Sequence, residues 1–424
     1  MQALTTHQSA LDASDTGVGK TYTALGVARA LEATPLVLCP KSVITPWKRV
    51  ASEMGGTPVD VLNIEKLKAG NTKYLKKVGK NKWVWNLPRG SLLIYDEVQT
   101  ASGHKSQNGK ILGLCKAYGI KALMLSATVA ESPLKLKAIG YMLGLHKYVD
   151  HFSWCLKYGC WQNSWGGLEF IKGKQRLGYL RRIHEQIFPD KGCRVKIQDL
   201  DVFPENTVYA DAFDLDERST EEIRRVYEEM DEELAKPDAG ASELTAQLRA
   251  RQRTELLKVP LLIELIDGVL EEERSAVVFV NFTETLEKLQ ENFKDASSVF
   301  GGQKQVDRDS EIERFQADIT RVCLVMIQAG GVGLSLHDLH GDYPRTSIIS
   351  PPFNAVQVKQ ALGRIHRAGA KTKCVQRIIF AANTVEEDAC KAVRRKLDNM
   401  SMLNDGDLSM SIFETKGDRD GEEE

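Results

Sequence analysis

Asp15-Thr16-Gly17-Val18-Gly19-Lys20-Thr21 and, far downstream, Gln360-Ala361-Leu362-Gly363-Arg364-Ile365-His366-Arg367-Ala368-Gly369 decide how this chain is read. The first is a glycine-lysine-threonine loop between an apolar segment and a helix expected from Thr21 to Leu31. Backbone N–H groups of such a loop wrap phosphates and the helix N-terminus adds partial positive charge. Lys20 would contact the terminal phosphates, and the Thr21 hydroxyl would ligate magnesium. Ser14 stands where the usual pattern has its first glycine, so the loop alone leaves many nucleotide-binding proteins open. The second stretch offers two arginines read as one helical turn apart. Together the two imply halves that close on one nucleotide.

Between them, short apolar runs recur without alternation: Leu36 to Cys39, Leu92 to Tyr95, Ala122 to Leu125, Val277 to Val280, Val322 to Ile327, Ser347 to Ile349 and Arg377 to Phe380. Such runs read as strands buried on both faces, and helical patterns such as Thr283 to Phe293 separate them. The expected class is α/β, with two parallel sheets covered by helices, one before about Leu145 and one after about Ala276. The first domain is expected over residues 1–203, with a helical insert over about 146–202, and the second over 204–424, joined near Phe203-Pro204-Glu205-Asn206. Residues 214–258 read as an exposed, charged helical hairpin and about 415–424 as a disordered acidic tail.

In open parallel sheets ligands bind beyond the carboxyl ends of strands. There the chain places Asp96-Glu97, one carboxylate for the magnesium and one to polarise the attacking water. Ser126-Ala127-Thr128 and Gln328-Ala329-Gly330-Gly331 follow other strands in the same way.

Lys and Arg number 57 against 58 Asp and Glu, so bulk charge gives no argument for a polyanionic partner. No run of about 18 apolar residues is present, and a signal-peptide pattern is lacking, which predicts no membrane association and a cytoplasmic location. The eight cysteines are scattered, several within apolar runs, and are expected to be free thiols.

With these pieces in order the chain resembles the superfamily 2 helicases of the Snf (sucrose non-fermenting) type, including compact phage-encoded members. The matching segments are Asp15 to Thr21, Val37 to Ser42 with Trp47, Asp96-Glu97-Val98-Gln99, Ser126-Ala127-Thr128, Val278 to Phe282, Ala329 to Leu334, Gln360 to Gly369 and Thr384 to Glu387. The resemblance implies two RecA-like lobes with an ATP cleft between them and nucleic acid across both. It assigns Gly17, Val18, Gly19, Lys20 and Thr21 to ATP, Thr21 and Asp96 to magnesium, and Asp96 and Glu97 to hydrolysis. Gln360, Arg364 and Arg367 would reach in from the second lobe, and arginines of this kind are worth roughly 10³ to 10⁵ in rate. Lys41, Ser42, Trp47, Ser126, Thr128, Gly330 and Gly331 would lie toward nucleic acid. The adenine-reading glutamine motif of the family is missing upstream of the loop, which leaves adenine selectivity open.

Lys66, Lys68, Lys73, Lys76, Lys77, Lys80 and Lys82, with Tyr74, Trp83 and Trp85 interleaved, form the densest basic run. It reads either as a phosphate-neutralising surface or as a solvated loop. His146, His151, Cys155, Cys160, His184 and Cys193 match no compact zinc pattern. Trp154, Trp161 and Trp165 are expected to pack the insert rather than stack on bases. The function expected is a nucleic-acid-dependent ATPase translocating on duplex DNA in remodelling, replication, repair or recombination, with partner proteins from such an assembly. An RNA helicase, or an ATP-gated clamp or scaffold subunit, is the alternative.

Overall fold

In the computed structural model, the described residues are all except 56–59, 104–105, 201–202, 235–242, 331–333, 353, 383 and 409–424. The acidic tail and Gly331 therefore lie outside them. The chain divides into two compact units, Met1–Asp201 joined by Lys396–Ser411, and Val202–Arg395.

The first unit carries β1 (Ser9–Asp12), β2 (Thr34–Cys39), β3 (Asp60–Asn63), β4 (Leu75–Gly79), β5 (Lys82–Trp85), β6 (Ser91–Asp96), β7 (Lys121–Leu125), β8 (Cys160–Gln162), β9 (Leu168–Phe170) and β10 (Gly192–Cys193). Its main sheet runs β10-β1-β7-β6-β2-β3, with every pair parallel. β6 and β7 are apolar almost throughout, and their side chains sit in a core with Ile111, Leu112, Ile139, Leu180 and Ile183. Strands covered on both faces need no polar alternation, which is why these runs were legible.

The second unit carries β11 (Asn206–Phe213), β12 (Ser275–Val280), β13 (Ser297–Val299), β14 (Val322–Met326), β15 (Arg345–Ile349) and β16 (Cys374–Ala381). They form an all-parallel sheet ordered β11-β16-β15-β12-β14-β13. Helices Glu217–Leu234 and Glu243–Leu257 supply the charged pair expected over residues 214–258. Two six-stranded parallel sheets clothed in helices are the RecA-like architecture.

Two expectations need correcting. The insert is not wholly helical: between helices His151–Lys157 and Gln175–Ile187 it forms the β8–β9 hairpin, and after them it returns β10 to the main sheet. The second sheet begins well before Ala276, because β11 starts at Asn206 and pairs with β16. β11 is a half-exposed edge strand whose Asn, Thr and Asp residues mask its pattern.

Candidate active site

β1 ends at Asp12, and the chain turns through Ser14 and Asp15 into the loop. Asp12 Oδ1 accepts from the Ser14 N–H at 2.9 Å. Gly17 and Gly19 have φ of 90° and 91°, a left-handed backbone open to glycine at little steric cost. Lys20 then opens helix Lys20–Ala30, whose Ala24, Leu25 and Ala28 are buried. Its ammonium donates to the Ser14 and Asp15 carbonyls, each at 2.7 Å, so the lysine folds back over its own loop. Burial lowers its pKa against the pull of Asp12, Glu97, Asp96 and Asp15. Val18 and Thr21 are partly buried in the same loop and first turn.

The two carboxylates stand at the end of β6. Asp96 is pushed up to about 6 by burial and by Glu97, opposed by the Trp47 hydrogen bond and Lys20. Trp47 Nε1 donates to Asp96 Oδ2 at 2.9 Å from a fully buried ring. Glu97 adopts φ 53°, a conformation sparse for non-glycine residues and characteristic of functional strain. Gln99 Nε2 donates to Glu97, and Ser126 Oγ donates to Gln99 Oε1 at 2.6 Å. The Thr128 N–H closes onto Ser126 Oγ at 3.0 Å. Glu97, Gln99, Ser126 and Thr128 therefore form one chain of contacts at the carboxyl edge of the sheet.

Behind the loop lies a brace that sequence reasoning missed. Arg194 Nη1 reaches Asp15 Oδ1 at 2.8 Å and the Ala13 carbonyl at 2.6 Å, while its Nε meets Asp405 Oδ1 at 2.6 Å. Asn404 Nδ2 donates to the Ala127 carbonyl at 3.0 Å, and Asn399 Nδ2 to the Glu131 carbonyl at 3.0 Å. Ser14 Oγ accepts from the Val195 N–H at 3.1 Å. The end of helix Val385–Asp405 is thus tied to the segments carrying the phosphate loop and Ser126-Ala127-Thr128. No local motif marks these residues; contacts spanning 179 to 277 positions create them.

In the second unit, Gln360 lies on helix Ala355–Leu362, which Asn354 caps by accepting from the Val356 N–H. Arg364 and Arg367 are not a helical turn apart. The helix stops at Leu362, and the backbone beyond it pairs with the loop after β14, the Leu336 N–H donating to the Arg364 carbonyl at 2.9 Å. Arg364 is buried and Nη1 donates to the Leu334 carbonyl at 3.2 Å. Arg367 is partly exposed; it donates to the Gly363 carbonyl at 3.0 Å and to Ser335 Oγ. The segment 334–336 and both arginines are therefore one hydrogen-bonded unit. Gly330 ends the short helix Ile327–Gly330. Buried His337, beside Arg367 and Arg345, is pushed down to about 4, by burial first and those cations next.

Lys41 is exposed in the 3-10 turn Lys41–Val43 after β2, and Ser42 is partly buried beside it. The basic run folds as the antiparallel β4–β5 hairpin with Lys76 and Lys77 exposed, while Lys73 pairs with Asp60 at 3.1 Å. Trp83 and Trp85 do not interleave with the lysines in solvent. Both are buried, their indole N–H groups on the Lys68 and Ile111 carbonyls. In β5, period-two alternation turns Lys82 and Val84 out and Trp83 and Trp85 in, whereas β4 is exposed from Lys76 onward. In the insert, His146, His151 and Trp154 pack ring on ring, and among the described residues no cluster of three or more His, Cys, Asp or Glu can hold a metal. All eight cysteines are free. Among the described residues no helix is long and apolar enough to cross a membrane.

Residues 257–369 match the helicase conserved C-terminal domain. The putative ATP-dependent RNA helicase L364 of Acanthamoeba polyphaga mimivirus is 33% identical over 436 residues, covering 94% of this chain and 80% of its own. The DNA repair protein RAD5A of Arabidopsis thaliana is 26% identical over 38% of this chain and 16% of its own. The chain belongs to the Snf-type superfamily 2 helicases. This Snf-type helicase is accordingly an ATP-hydrolysing enzyme. A solved structure, the Sulfolobus solfataricus SWI2/SNF2 ATPase core in complex with dsDNA, aligns over 95% of the helicase and 90% of its own chain at 17% identity and a TM-score of 0.36. The helicase spans four fifths of the mimivirus protein but only a small part of the repair protein.

Proposed function

We propose that the protein is a nucleic-acid-dependent ATPase that translocates on duplex DNA. The observation carrying this reading is the contact chain Glu97–Gln99–Ser126–Thr128, which joins the carboxylate suited to orient water to the segment assigned to nucleic acid. A shift in Ser126-Ala127-Thr128 on strand engagement would move Gln99 and release or reposition Glu97. That gives a stereochemical route from polymer to hydrolysis.

Lys20 exchanges its loop carbonyls for the terminal phosphates, and the N–H groups of Gly17 to Thr21 hold the remainder. Asp96 and the Thr21 hydroxyl are hard oxygen donors, and the raised Asp96 pKa marks a carboxylate short of positive charge, so the pair fits magnesium. Magnesium there would neutralise charge on the phosphate oxygens. Glu97 orients the attacking water. Arg367, with Gln360 and Arg364, stabilises charge on the transferring phosphoryl group. Lys41, Ser42, Lys73, Lys76, Lys77, Gly330 and Gly331 complete the nucleic-acid contacts.

Duplex DNA, single-stranded DNA and RNA compared as ATPase activators test the substrate. Strongest stimulation by the duplex is expected, whereas stimulation by RNA alone would favour the RNA helicase reading raised by the mimivirus relative's name. Full biological activity in Lys20→Ala and Arg367→Ala proteins would instead mark an ATP-gated scaffold. Partners from a replication, repair or recombination assembly follow from the DNA reading.

A further inference from the structure

The β8–β9 hairpin departs most from its expected role. Trp154 packs inward, but Trp161 is 48% exposed and Trp165, at the hairpin tip, is 92% exposed. The tip is nevertheless built rigidly. Asn163 Oδ1 accepts from the Trp165 N–H at 3.1 Å and the Gly167 N–H at 2.8 Å, and Asn163 Nδ2 donates to Glu169 at 2.9 Å. The Asn163 N–H donates to the Gly167 carbonyl at 2.8 Å, Gln162 Nε2 donates to the Gly166 carbonyl at 3.2 Å, and Gly166 supplies φ +77°. At the root, buried Cys160 and half-buried Leu168 and Phe170 anchor the strands in the core. A large aromatic ring is thus held out in water on a turn that has already lost its freedom.

An indole that could bury roughly 150–250 Å² is left uncovered. Its chain neighbours Gln162, Asn163, Ser164, Gly166 and Gly167 are polar or lack a side chain, while Phe152, Leu156 and Trp161 of the same insert are also exposed. A narrow hairpin with a fixed backbone presents the ring for insertion against a flat π-face. Charge agrees: from Lys147 to Lys191 eight basic residues stand against four acidic ones in a chain with net charge −1. Lys157, Lys172, Lys174 and Arg182 are exposed. That local excess complements a phosphate backbone.

We infer that the β8–β9 hairpin is a base-stacking pin, with Trp165 docking on an unpaired nucleobase of a bound strand. This rests on the nucleic-acid reading above and adds a site to it. Stacking on one aromatic side chain changes affinity by about 5- to 150-fold.

The test uses the full chain as wild type, Trp165→Ala and Trp165→Phe, titrated against fluorescein-labelled single-stranded DNA and the matching RNA. Trp165→Ala should weaken binding by about 5- to 150-fold and Trp165→Phe by less than about threefold, with unchanged ATPase activity in the absence of polymer. The DNA and RNA arms show which sugar the pinned strand carries. Equal affinity of wild type and Trp165→Ala would overturn the pin while leaving the ATPase reading standing. A changed oligomeric state of Trp165→Ala with unaltered affinity would assign the ring to a second copy of the chain. Failure of the wild type to bind either strand would overturn the pin, while stimulation of its ATPase by duplex DNA reports separately on the functional reading.

Discussion

Replacing Asp405 by alanine should loosen the phosphate loop although Asp405 lies 390 residues from Asp15 along the chain. The Asp405 side chain is 0% exposed, and those of Arg194 and Asp15 are each 7% exposed. Removing one partner of a buried ion pair costs about 3–5 kcal/mol. Here Arg194 would keep Asp15 and the Ala13 carbonyl, and Asp405 Oδ2 and Arg194 Nη2 already lack hydrogen-bond partners. The loss therefore approaches that of one charged hydrogen bond, about 2–3 kcal/mol. For a unit of this size about 2–4 °C accompanies each kcal/mol, which predicts a fall of about 4–12 °C in the first unit's transition. Arg194→Ala should lose more, because it strands two buried carboxylates. Calorimetry of the full chain, with and without ATP, reads the effect, and ATP should restore part of the loss by binding the folded loop. An Asp405→Ala transition within about one degree of wild type would refute the brace.

Three further outcomes are expected. Lys258 is 1% exposed and donates to Glu386 at 2.7 Å and Ser350 at 3.3 Å, so Lys258→Ala should destabilise the second unit by about 3–5 kcal/mol in denaturant titration, whereas an unchanged midpoint would deny the network any role. The Asp96 carboxyl is raised when folded, so the native state binds the extra proton and stability should fall as pH rises from about 4 through about 6. Asp96→Asn should flatten that slope and raise the melting temperature at neutral pH while abolishing hydrolysis, and parallel melting curves against pH would contradict the assignment. Gly19→Ala meets no atom within 4 Å but sits at φ +91°, so strain of about 1–2 kcal/mol should distort the loop. Loss of ATP binding by calorimetric titration with the fold retained is expected, and unaltered affinity would separate loop conformation from binding.

The central strands were legible because burial on both faces leaves uninterrupted apolar runs, as in Leu92 to Tyr95 and Val277 to Val280. Edge strands were not: β10 is two residues long and β11 mixes polar with apolar side chains. The phosphate loop and Asp96-Glu97 could be read because their chemistry is local. Trp47, expected toward the nucleic-acid backbone beside Lys41 and Ser42, is instead buried on Asp96, and Arg194, Asn404 and Asp405 carry no signal until folding brings distant segments together. In the basic run, charge was visible whereas the inward turn of Trp83 and Trp85 required a hairpin register.

The membership of residues 396–408 in the first unit also sets an order of assembly. A ribosome releases Asp15 and Arg194 long before it makes Asn399, Asn404 and Asp405, so the unit begun first is finished last. Until helix Val385–Asp405 emerges, Arg194 lacks one of its two carboxylates and the Ala127 carbonyl lacks the Asn404 amide. A polypeptide stopped short of that helix would carry every phosphate-loop residue and the Arg194–Asp15 pair, but not the Asn399, Asn404 and Asp405 contacts that brace them. Synthesis through Asp405 thereby becomes a condition for a fully braced nucleotide site.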